Sequence, residues 1–111
     1  MDNIEQHIIH ALEFTGYKVY NGTFTSTDNA YFVFLIDLYP DFFGNDIAIY
    51  GVNHIYVHFY CPITMNTTAL RKQIREAIQA EGFTYPSEVN ATDEHMQHIV
   101  YEFEVEGFLN G

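Results

Sequence analysis

A chain of 111 residues has room for one domain, since chains divide only beyond roughly 150 to 200 residues. Its 48% hydrophobic and 17% aromatic side chains supply the apolar surface that disordered chains lack, so a folded core is expected without a stapling disulfide or metal. Fifteen acidic residues against four basic ones, a formal net charge of -11, exclude specific or strong nucleic-acid binding and make an anionic membrane a poor partner.

The apolar run Ala30 to Ile36 is far short of the roughly 20 residues that span a bilayer. The amino terminus MDNIEQH has neither the basic nor the apolar region of a secretory leader, so the protein is expected to stay in the cytosol where it is made. The single cysteine, Cys61, allows no internal disulfide and suits a reducing compartment.

The first element is a helix over about residues 3–15. Ile4, Ile8, Ala11 and Leu12 recur at helical spacing, Asp2 or Asn3 is placed to cap it, and Gly16 offers a stop. A short strand around Val19 and Tyr20 follows, then the polar stretch NGTFTSTDN, which reads as a turn or loop. YFVFLIDL, residues 31–38, is a strand with apolar groups on both alternating faces: Phe32, Phe34 and Ile36 on one, Tyr31, Val33 and Leu35 on the other. Pro40 and Gly44 are expected to break it. A second strand, 47–60, returns as a hairpin or meander until Pro62, with a bend expected near Gly51, and within it Ile55, Val57 and Phe59 face away from His54, Tyr56, His58 and Tyr60.

A second helix spans about 67–81, capped by Asn66 or Thr67 and stopped by Gly82, with Leu70, Ile74, Ala77 and Ile78 as its buried stripe. FTYPSEV, a polar turn and the alternation IVYEFEVEG then form a closing antiparallel pair, which turns Ile99, Tyr101, Phe103 and Val105 inward and Glu102, Glu104 and Glu106 outward. Residues 1–111 therefore read as one α+β domain, a mostly antiparallel sheet with two helices packed on it, in the order helix, strands, helix, strands.

Catalytic motifs are missing: there is no glycine-rich phosphate loop, G-x-S-x-G, CxxC or HExxH, so no catalytic or cofactor-binding residue is assigned and no enzyme is expected. Six histidines fall in the pairs His7 and His10, His54 and His58, and His95 and His98, but a metal needs a third fixed ligand that the spacing does not supply, and none is assigned. Cys61 near His58 fits a small hydrophobe at a strand end better than a nucleophile. Three of the four basic residues, Arg71, Lys72 and Arg75, lie on the second helix. On an acidic body they form a positive pole suited to a head-to-tail contact between identical subunits, unless they pair with acidic neighbours in the same chain. Two helices cover only one face of a small sheet, so Tyr31, Val33 and Leu35 are expected to meet either a folded-over half of the sheet or another subunit.

Taken together, the first helix, the aromatic hairpin YFVFLIDLYPDFF...IAIYGVNHIYVHFYCP, the helix ending in EGFTY and the closing HMQHIVYEFEVEG resemble tail completion or tail terminator proteins of long-tailed bacteriophages, over nearly the whole chain. The resemblance implies a structural virion-assembly protein without catalytic residues or cofactor. It implies a ring of copies, a hexamer, seated on the tail tube and joining the head-tail connector, made in the host bacterial cytoplasm and carried in the virion tail. Glu102, Glu104 and Glu106 are then the candidates to face the DNA passage, where carboxylates repel phosphates. A neighbouring head-tail connector or other minor tail protein fits the same layout. A small acidic regulator binding one host protein is the alternative without a ring, and an enzyme would need a pocket in which the histidines converge.

Overall fold

The computed structural model describes residues 3–22, 26–44 and 47–108, with only the backbone described for 40–44, 47–50 and 108. Two helices and five strands follow in the order expected for this α+β chain: α1 (Ile4–Leu12), β1 (Lys18–Asn21), β2 (Tyr31–Gly44), β3 (Ile47–Pro62), α2 (Thr68–Ala80), β4 (Ser87–Asn90) and β5 (Met96–Phe108). They build one sheet in the order β1-β2-β3-β5-β4, antiparallel throughout except for the parallel pair β1–β2.

α1 runs into a short 3-10 turn, Glu13–Thr15, and stops at Gly16, whose φ of 76° is the left-handed conformation that glycine adopts without strain. Asn3 does not cap the helix through its side chain: its own backbone is left-handed, and only its carbonyl enters the helix, accepting from the His7 amide. Asp2, the other expected cap, lies outside the described residues, as do parts of the two expected turns, 23–25 and 45–46. At α2, Thr67 takes the cap position but makes no side-chain cap bond. Asn66 Oδ1 accepts from the Thr68 amide, while the Thr67 hydroxyl donates to Gln97 Oε1.

β2 does not end at Pro40. It pairs with β3 as far as Gly44, across register shifts between Pro40 and Phe42 and between Phe42 and Phe43. The Phe34 carbonyl accepts from the Gly22 amide and so faces β1. With a two-residue period, the Pro40 nitrogen falls on that same outer edge, beyond the end of β1, where a missing N–H costs no ladder bond.

Both helices lie on one face. Ile8 and Leu12 of α1 and Ile74 and Ile78 of α2 pack on Phe32 and Phe34 of β2, Ile55, Val57, Phe59 and Cys61 of β3, and Ile99, Tyr101 and Phe103 of β5. Phe32 and Phe59 stack with ring centroids 4.7 Å apart at the centre of this cluster. Helical cover stops along β2 where Leu38, on the same face as Phe34, is 43% exposed. The hairpin continues past it, giving a molecule of 54 × 25 × 20 Å.

Candidate functional site: the open face of the sheet

The face away from the helices is read row by row across the strands. Lys18, Tyr31, Tyr60 and His98 stand in one row, Tyr20, Val33, His58, Val100 and Val89 in the next, and then Leu35, Tyr56, Glu102 and Ser87. Asp37, His54 and Glu104 follow, then Tyr39, Val52 and Glu106. One end is therefore aromatic and imidazole-rich, and the other is acidic.

At the aromatic end the rings cover one another. Tyr31 stacks on Tyr60 at 5.0 Å and Tyr60 on His98 at 4.3 Å, while Tyr20 meets Tyr31 edge-on at 6.1 Å. The Tyr20 hydroxyl donates to Asp28 Oδ2, which draws the segment leading into β2 onto this side. Within the single chain Tyr31 and Val33 are thereby reduced to 4% and 5% exposure, and Leu35 stays half-buried. The cover that sequence reasoning sought from a folded-over sheet or a second subunit comes, for the first two, from neighbouring side chains.

At the acidic end Glu102 and Glu106 are exposed and Glu104 is intermediate, with His54 Nε2 3.4 Å from Glu104 Oε2 and its ring edge-on to Tyr39. The Tyr56 hydroxyl pKa is raised by desolvation first and then by Tyr39, Glu102 and Asp37, a sign of the negative potential along these rows. A depression of about 220 Å³ opens between His54, Tyr56, Thr84, Glu102 and Glu104.

The expected histidine pairs are regrouped by the fold. His58 Nδ1 lies 2.8 Å from His98 Nε2, joining members of two different sequence pairs across β3 and β5. His7 Nδ1 and His10 Nδ1 each stand 2.6 Å from one oxygen of Glu81, at the end of α2. His95 is exposed beside Glu94. Among the described residues no three His, Cys, Asp or Glu side chains form a group able to hold a metal ion. Cys61 sits in the core on the face opposite His58, with its thiol pKa pushed up by burial, so the two do not form a nucleophile and base.

The basic helix is also partly answered within the chain. Arg75 Nη1 donates to Glu88 Oε1 at 2.7 Å and its Nε to the Tyr85 hydroxyl, and Arg71 Nη1 stands 3.8 Å from Glu88 Oε2. Lys72 remains 69% exposed, 3.9 Å from Glu76. Glu88 was not singled out in the sequence; the one available sign was a carboxylate on the strand that follows an Arg-x-x-x-Arg helix.

No helix among the described residues is long and apolar enough to cross a membrane. No protein-family model matches the chain, and no curated protein does.

Proposed function

We propose that this chain is a structural subunit of a long-tailed bacteriophage, of the tail terminator or tail completion kind, which assembles with copies of itself into a ring at the end of the tail tube and joins it to the head-tail connector. The observation that carries the reading is the one-sided sheet: with both helices on one face, Asp37, Glu102, Glu104 and Glu106 stand together on the other. A carboxylate-lined face turned to a passage repels phosphates and lets DNA slide without sticking. The resemblance noted in the sequence supports the same reading, and a virion component of this kind needs no catalytic residue. In the ring, the half-buried Leu35 and the Lys72 ammonium, 69% exposed beside Glu76, offer contact surface, while Arg71 and Arg75 are shared with Glu88.

Native mass spectrometry of the purified protein over a range of concentrations, alone and with tail tubes of the phage that encodes it, tests the proposal. A closed ring, formed alone or only on the tube end, is the expected result. A chain that stays monomeric at every concentration and leaves tube ends bare overturns it.

A further inference from the structure

The centroids of the His58 and His98 rings are 5.1 Å apart while their facing nitrogens are 2.8 Å apart, so the imidazoles meet edge to edge through one N–H···N hydrogen bond. One ring donates and the other accepts. We propose that this pair is a two-step proton switch of the open sheet face, which takes up a first proton with its contact intact and a second only by parting.

The chemistry of imidazole sets the two steps. A first proton goes to the outer nitrogen of the donor ring, which becomes an imidazolium and still donates through its inner N–H. The only lone pair then left on the two rings is the acceptor nitrogen inside the contact. A second proton placed there leaves two N–H groups pointing at each other and two like charges in a half-buried place. Among the described residues neither ring has a carboxylate at ion-pair distance to offset that charge. The groups facing the pair are Tyr31 of β2, Tyr20 and Lys18 of β1, Tyr56 and Glu102 one register row away, and Asp93 of the β4–β5 turn. Asp93 raises the His98 pKa, but burial and the neighbouring His58 outweigh it, and the pKa of each ring lies below 6.5. Tyr60, stacked flat on His98, transmits the change: when His98 leaves His58, the Tyr31–Tyr60–His98 stack loses its end ring.

The full chain labelled with ¹⁵N-histidine and titrated by NMR reads this directly. A scalar coupling between His58 Nδ1 and His98 Nε2 is expected at neutral pH, surviving a first protonation step and vanishing at a second. The two steps should lie more than about one pH unit apart. The near-ultraviolet dichroism of the tyrosines should follow the second step alone, and His58→Gln should leave His98 titrating once, with that dichroic change gone. Two rings that titrate independently in the parent protein, or a tyrosine signal that stays flat through both steps, overturn the switch. The parent titration decides even if the variant fails to fold.

Discussion

Glu81 closes α2, where the helix carbonyls already make the surroundings unfavourable to a carboxylate. Its pKa is nevertheless lowered, by the hydrogen bond from His10 first and that from His7 next, and the same bond raises the pKa of His10. The signs fix a window. A raised His10 adds stability that is complete below its unfolded value of 6.5 and is lost as pH rises through the raised value; a lowered Glu81 adds stability that is complete above 4.5 and is lost as pH falls through the lowered value. Both contributions are therefore complete between pH 4.5 and 6.5. Urea melts of the parent and Glu81→Gln from pH 4 to 8 should differ most inside that window and by less above it, whereas a gap that ignores pH would mean that uncharged hydrogen bonds alone tie α1 to α2. In the core, Phe59 is fully buried between Phe32 and Tyr17, and Phe59→Ala should cost about 3 to 5 kcal/mol in the same melts. Leu38→Ala, at a residue 43% exposed on the same face, should stay within about 0.5 kcal/mol.

At the scale of elements, α2 is held to β4 by a carboxylate shared between two arginines. Each of these pairs is three-quarters buried or more, yet still close to water, so Glu88→Ala should cost roughly 0.2 to 1 kcal/mol per pair, with the loss shrinking as salt rises. This arrangement changes which substitution reports on assembly. Reversing Arg71 and Arg75 sets three carboxylates against one another inside the chain, whereas Lys72→Glu leaves the Glu88 cluster untouched. If the helix takes part in a ring, Lys72→Glu should weaken assembly at low salt while leaving the melting temperature within a few degrees of the parent. Sedimentation at two salt concentrations separates that result from a merely solvated lysine, which would assemble unchanged. The elements themselves were legible where apolar spacing repeats over several turns or pairs, as in Ile4, Ile8 and Leu12 or in Ile99, Tyr101 and Phe103. The end of β2 was not: Pro40 stops a strand only when its nitrogen faces a partner, and that depends on β1 ending at Asn21.

For the whole molecule the formal net charge is -11, and the open face gathers rows of the carboxylates that make it up. Fluorescence anisotropy with a labelled duplex at physiological salt should show no binding in the micromolar range, and an affinity there would defeat the idea of a surface that lets DNA pass. The long axis of 54 Å against 20 to 25 Å comes from a hairpin that outruns its helices, so a single chain leaves much of the sheet beyond Leu38 without a helical layer.

Composition and periodicity by themselves determined the class of fold, the order of its elements and most residues of its core, because the alternation of apolar side chains along each helix and strand depends only on neighbours in the chain; Phe83, in the turn after α2, enters the core without such a pattern. The outward place of Glu102, Glu104 and Glu106 follows from the same alternation. Tertiary structure decided who meets whom. Strand order brings His98 to His58 instead of His95, β4 carries Glu88 to Arg71 and Arg75, and the end of α2 delivers Glu81 to His7 and His10 from more than 70 positions away. Such pairings are set by the register of strands and the docking of helices, and hydrogen bonds and charges act over a few ångströms of space whatever the separation along the chain.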